Sequence, residues 1–120
     1  MLVFADSCFQ KITDSINICS MEKRKAHYDL ATIKAVVLDR GLDAFTRTAV
    51  QGIDAMGLSE AEGLAVALGL QGSMLFKSMT THADHTVWQD VYHAPCPNGK
   101  TAYIKLTLRA GAVVIQFKEK

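Results

Sequence analysis

Apolar residues recur at helical spacing in the middle of the chain and alternate with polar ones near its end. Leu30, Ile33, Val36 and Val37 share one face of a 3.6-residue repeat, which predicts an amphipathic helix. Asp29 is placed to cap it and Gly41 to end it. A second helix is predicted after Thr46, with Ala49, Val50, Ile53 and Met56 turned inward and Gly57 at its end. Ser59 and Glu62 have the spacing of a capping box, which starts a third helix carrying Leu64, Val66, Ala67 and Leu68.

Beyond Gly72 the pattern changes to β-branched and aromatic runs, and strands are predicted over 74–80, 86–93, 101–109 and 112–118. Residues His82 to His85 read as a turn, and Pro95-Cys96-Pro97-Asn98-Gly99 as a loop. Ala110-Gly111 between two alternating runs predicts a tight hairpin, because glycine tolerates the positive φ such turns require. A two-residue loop pairs Leu108 with Val113, Leu106 with Ile115 and Ile104 with Phe117, three apolar pairs on one face. A slip of one residue would mix apolar with polar partners, so this register is strongly specified. Helices first and strands afterwards predict an α+β fold in two layers, an antiparallel twisted sheet with helices packed on one face.

Composition narrows the picture. The chain has 120 residues, enough for one domain with a modest core, and its net charge of +1 argues for neither a nucleic-acid nor a membrane partner. Residues 1–20 differ in character from the rest of the chain, and Met21-Glu22-Lys23-Arg24-Lys25 reads as a natural start. The organisation expected is an extension or mis-assigned start over 1–20 and a single domain over 21–120. The first twenty residues lack a basic start followed by an apolar run, so no signal peptide is read there, and no stretch has the roughly 18 apolar residues of a membrane span. Three cysteines, Cys8, Cys19 and Cys96, form no evident disulfide framework, and a reducing cytoplasm is expected.

Charge is unevenly distributed. Between 77 and 120, Lys77, Lys100, Lys105, Arg109, Lys118 and Lys120 outnumber Asp84, Asp90 and Glu119 by three. Between 41 and 72, Arg47 is outnumbered by three against Asp43, Asp54, Glu60 and Glu62. A basic C-terminal half points weakly to a polyanion. The hairpin register sharpens this. It sets Tyr103 opposite Lys118 and Lys105 opposite Gln116, with Thr107 and Arg109 continuing the same surface. A solvated polar face with a Tyr–Lys packing pair has the same pattern, since polar-out strands are the default in antiparallel sheets. The sharper reading is a site for RNA. RNA is cut without a metal when its own 2′-hydroxyl attacks the adjacent phosphate. That step needs a proton acceptor, charge stabilisation at phosphorus and a proton for the leaving 5′-oxygen. Lysine and tyrosine side chains supply these functions.

Other constellations carry weaker signals. His82, His85, His93 and Cys96 have the form H-x2-H-x7-H-x2-C, compatible in spacing with zinc, although no metal site is expected. Trp88 and Tyr92 share a strand face, as core aromatics or, alternatively, as a base-stacking surface. No glycine-rich phosphate loop, Ser–His–Asp arrangement or cofactor motif is present, which argues against a small metabolic enzyme, and no cofactor is expected.

From Met21 to Lys120 the chain resembles the motility quorum-sensing regulator toxins. The resemblance is carried by Met21-Glu22-Lys23-Arg24, Lys77-Ser78-Met79-Thr80-Thr81, Asp84-His85-Thr86, Trp88-Gln89-Asp90-Val91-Tyr92 and Phe117-Lys118-Glu119-Lys120. It implies a RelE-like fold and the toxin of a type II toxin–antitoxin system. Such a toxin is a ribosome-independent, sequence-directed endonuclease of single-stranded messenger RNA, linked to translation arrest, biofilm and quorum sensing. It also implies a cognate antitoxin with a zinc-binding and a DNA-binding module. By motif, the family's catalytic residues fall on Lys77, Gln89, Tyr103 and Lys118. Lys105, Arg109 and His85 are the expected substrate contacts. Phe76 and His82 stand where tyrosines occur in the family, and His93 and Lys100 also depart from its pattern. A competing expectation is a non-catalytic regulatory module, a degenerate toxin that acts through an antitoxin partner.

Overall fold

The computed structural model describes residues 21–109 and 112–120. The reading of residues 1–20 as an extension, and the Ala110-Gly111 turn itself, lie outside the described residues.

The helices form where the caps and periodicity place them. Helix α1 spans Leu30–Arg40, with the Asp29 carboxyl accepting from the Thr32 amide at 3.1 Å and Gly41 closing it at φ +60°. Ile33 and Val37 are buried, while Leu30 and Val36 pack at the margin of the core. A 3-10 turn, Gly41–Ala44, leads to α2, Arg47–Ala55, where Thr46 Oγ1 accepts from the Ala49 amide at 3.0 Å. Helix α3, Glu60–Leu68, opens with the full reciprocal box: Glu62 N donates to Ser59 Oγ and Ser59 N donates to Glu62 Oε1. Gly63 lets α3 seat on α2, because a Cβ there would lie 2.5 Å from Ile53 Cδ1.

Five strands follow the order β1-β2-β3-β4-β5, all antiparallel: β1 Glu22–Lys23, β2 Leu75–Thr80, β3 Trp88–Pro95, β4 Thr101–Arg109 and β5 Ala112–Glu119. The α+β architecture with an antiparallel sheet is therefore the one expected. The β4–β5 register is also the expected one, with Leu108, Leu106 and Ile104 facing Val113, Ile115 and Phe117. Two strands differ from the sequence reading. Strand β3 starts at Trp88 and runs on to Pro95, because residues 81–87 are tied into their own turn by Thr81 N to Val87 O and Val87 N to Asp84 O. Strand β1 has two residues, too short to show alternation, and exists only through pairing with β2.

The core lies between one sheet face and the helices. Tyr92, Ala94, Ala102, Ile104, Leu106, Val113, Ile115 and Phe117 meet Ile33, Val37, Ala49, Ile53 and Met56 there. Tyr92 is thus a core aromatic, whereas Trp88, nearer the rim, stacks on His27 at 5.0 Å with Lys23 Nζ 4.3 Å from its ring centroid. Asp90 is wholly buried on this face and accepts from the amides of His27 and Tyr28 and the hydroxyl of Ser78. It pins the segment before α1 to the sheet. Edge strand β5 is capped by a parallel bridge from Phe45 to Ile115 and by Thr46 N donating to Ile115 O. Helix α2 then crosses the strand at Gly52, where any Cβ would collide with the Phe117 carbonyl. No helix among the described residues is long and apolar enough to cross a membrane.

Candidate functional site

Among the described residues the opposite face of the sheet carries no helix, and the register arranges its side chains in rows across the strands. The middle row is Lys77, Val91, Lys105 and Gln116. One flanking row is His93, Tyr103 and Lys118. The other holds Met79 and Gln89, with Thr107 beside Val114. All four residues expected to be catalytic, Lys77, Gln89, Tyr103 and Lys118, therefore lie on this open face. They are not equally close. Lys118 Nζ is 5.2 Å and Lys105 Nζ 6.0 Å from the Tyr103 ring centroid. Gln89 is two rows from Tyr103, about 14 Å along the strand direction.

A bulge in β2 shapes the site. The pairing steps from Leu75–Tyr92 to Lys77–Val91, so Phe76 is the extra residue. Such an insertion re-aims side chains. Here it brings Phe76 onto the same face as Lys77: Phe76 stacks on His93 at 4.5 Å, and Lys77 Nζ lies 5.5 Å from the Phe76 ring centroid. His93 in turn packs on Tyr103, ring centroids 5.6 Å apart. Three rings, Phe76, His93 and Tyr103, form a continuous run with Arg24, Lys77, Lys105 and Lys118 around it.

The electrostatics separate the lysines. Lys77 donates to Glu22 of β1 at 2.9 Å. Among the described residues Lys105 and Lys118 make no ion pair. Burial, followed by the repulsion of Lys118 and Lys77, holds the Lys105 ammonium below the ordinary lysine value. Val91, between Lys77 and Lys105, is fully buried although it faces away from the helices. Burial, then the charge of Lys120, also lowers the His93 imidazole, and its buried Nε2 has no hydrogen-bond partner among the described residues.

A cleft of about 370 Å³ opens beside this cluster. Its floor is Tyr103, Lys105, Gln116 and Lys118, and the N-cap Thr46 with Thr48 and Ala49 of α2 forms its wall. The close approach at Gly52 seats that wall against the strand bearing Lys118.

Arg109 and His85 are not brought into the cleft. Both lie near Asp84, at the end of the sheet where β2 turns into β3. The zinc-like spacing does not assemble either. His82 and His85 belong to that turn, His93 is stacked on the open face, and the buried Cys96 thiol faces the Ala94 carbonyl. Among the described residues no three His, Cys, Asp or Glu side chains come together as a metal site. Residues the sequence reading did not place in the site are Glu22, Gln116, Phe76 as a ring neighbour of His93, and the two threonines of α2. Gln116 was legible from the register that sets it against Lys105. The others depend on a bulge, a two-residue strand and a helix crossing, which leave no periodic trace.

Two comparisons with known proteins bear on this arrangement. Residues 25–119 match the family described as motility quorum-sensing regulator, toxin of MqsA. The chain is also 40% identical over 100 residues to the mRNA interferase toxin MqsR of Escherichia coli (strain K12), an alignment covering 83% of this chain and all of that protein. On these two matches, this chain belongs to the motility quorum-sensing regulator toxin family.

Proposed function

We propose that this protein is an mRNA interferase toxin, an endoribonuclease that cleaves single-stranded messenger RNA by attack of the 2′-hydroxyl on the adjacent phosphate. The observation that carries this reading is the pair Lys105 and Lys118 beside Tyr103, all three lining an open cleft, with Lys77 further along the same face. Lys105 and Lys118 have no carboxylate partner among the described residues, so a polyanion is their natural ligand, and the aromatic rings beside them suit unpaired bases. The activity named for the MqsR relative points the same way.

In this mechanism Lys77 and Lys118 stabilise the charge that builds on the pentacoordinate phosphorus. Tyr103 donates or accepts a proton, or stacks on a base beside the cut. Gln89, further along the same face, positions the RNA strand. Lys105 contacts the substrate in the cleft, while Arg109 and His85 engage RNA that continues toward the far end of the sheet. The reaction needs no cofactor, because the side chains supply the charge and the proton transfers, and by the family resemblance it proceeds without the ribosome. A cognate antitoxin, carrying zinc-binding and DNA-binding modules, holds the toxin inactive, and release of the toxin arrests translation and growth.

The test is direct. The chain, purified free of partner, is incubated with a defined RNA in EDTA and the new ends are mapped. The expected products carry a 2′,3′-cyclic phosphate or a 3′-phosphate, and Lys77→Ala or Tyr103→Ala lowers the rate by roughly 10²–10⁴-fold. A folded wild-type chain that leaves the RNA intact points instead to a binding-only member of the family. Undiminished cleavage by both variants refutes the site assignment.

A further inference from the structure

The three lysines of the open face do not have equivalent surroundings. Lys77 is tied to Glu22 at 2.9 Å, and Lys118 is exposed near the end of an edge strand. Lys105 sits between them in the middle row, on the inner strand β4, half-covered, and it lines the cleft together with Tyr103 and Gln116. Its Cα lies two strand spacings from that of Lys77, about 10 Å. The charged or titratable groups facing it are Tyr103 on its own strand, Lys118 on β5, Lys77 on β2 and His93 on β3. The α2 wall of the cleft contributes Thr46, Thr48 and Ala49, none of which titrates in the working range.

We propose that Lys105 is a catalytic residue, the base that takes the 2′-hydroxyl proton from an RNA strand lying in the cleft. This rests on the ribonuclease reading above and names its proton acceptor. A base must spend part of its time unprotonated. A lysine with a desolvated stem and two cationic neighbours meets that condition better than one bathed in water or held by a carboxylate. The atoms balance. The neutral Lys105 amine takes the 2′ proton and becomes an ammonium, the 2′-oxygen bonds to phosphorus, and the bond from phosphorus to the 5′-oxygen breaks. The leaving oxygen takes a proton from Tyr103 or Lys118. The products are a 2′,3′-cyclic phosphate and a 5′-hydroxyl. The newly formed ammonium then lies beside the phosphorane oxygens, where its charge is most useful.

Arginine separates a base from a mere charge, because a guanidinium stays protonated throughout the working range. Single-turnover cleavage of a defined oligoribonucleotide in EDTA is followed from neutral to alkaline pH. Binding is read separately with the same oligonucleotide carrying a 2′-deoxy residue at the cut. Lys105→Arg is expected to bind as wild type and to cleave roughly 10²–10⁴-fold more slowly. Lys105→Cys alkylated to an aminoethyl side chain, with wild type treated identically as control, restores the amine. Its thioether lowers the amine pKa, so cleavage returns with its rising limb moved to lower pH. This second variant decides the matter should the arginine protein not fold. Wild-type rates and pH dependence in Lys105→Arg, or no recovery in the aminoethyl protein, overturn the proposal while wild-type cleavage keeps the ribonuclease reading. Absence of cleavage by wild type removes both.

Discussion

The two faces of one sheet handle polar groups in opposite ways. On the helix-covered face, the buried Asp90 carboxyl accepts from two amides and a hydroxyl, between 2.6 and 3.0 Å, and the chain before α1 is fastened by it. On the open face, Lys105 and Lys118 stand close to Tyr103 with no carboxylate partner among the described residues. A polar group inside a core must be satisfied or it destabilises the fold. Cations gathered without counter-charges repel one another, an arrangement that costs stability and favours a bound anion. The difference teaches where to look for function: the satisfied carboxyl is architecture, and the cations without a carboxylate among the described residues are where the proposed site lies.

The comparison breaks first at Asp90. Asp90→Ala leaves two amides and Ser78 without their acceptor and should lower stability by on the order of 3–5 kcal/mol in urea unfolding. Lys118→Met, on the open face, should change stability by less than about 0.5 kcal/mol while crippling cleavage. A reversal, with Lys118 the stabilising residue and Asp90 dispensable, would mean that the roles of the faces have been misassigned.

A smaller effect tests how the faces are joined. Gly52→Ala places a methyl against the Phe117 carbonyl, so α2 must shift from β5. The expected loss is about 1–3 kcal/mol, as for other overpacked sites. Because α2 walls the cleft, cleavage per folded molecule should fall as well. Unchanged stability and unchanged cleavage would show that the strand edge yields freely.

The smallest effect concerns His93, which burial and Lys120 hold below its ordinary value of about 6.5. The unfolded chain then binds more protons than the folded one near and below that value. The stability His93 contributes is therefore fully present above about pH 6.5 and is lost as pH falls toward its folded value. His27 is lowered too, by burial first, and adds a slope of the same sign. His93→Phe retains a ring against Phe76 and Tyr103 and should flatten part of the acid-side slope in denaturation midpoints measured over this range. An unaltered slope would mean that His93 titrates as it does in water.

Much of the fold was legible because its signals are local or periodic. Asp29, Thr46 and Ser59 cap helices through amides three residues away. The β4–β5 register followed from alternation and a two-residue turn, a pairing that puts Ile104, Leu106 and Leu108 against apolar partners. The same alternation is enough to place Tyr103 beside Lys118. The remainder of the site arises from meetings between distant segments. Residues 81–87 close on themselves, so β3 begins later than its composition indicates. The bulge at Phe76 builds the ring run with His93, and its cause lies in the pairing of β2 with β3 rather than in any pattern within β2.

By itself the sequence determined three capped helices, the hairpin register and the polar face that holds Tyr103, Lys105 and Lys118, because each depends on short-range geometry or on a two-residue repeat. Only the tertiary structure decided that Lys77 meets Glu22, that α2 crosses β5 at Gly52 to wall a cleft, and that Arg109 and His85 stand apart from that cleft. Those outcomes depend on which surfaces pack against one another. Packing is a property of the whole chain, set by burial and steric fit between residues far apart in sequence.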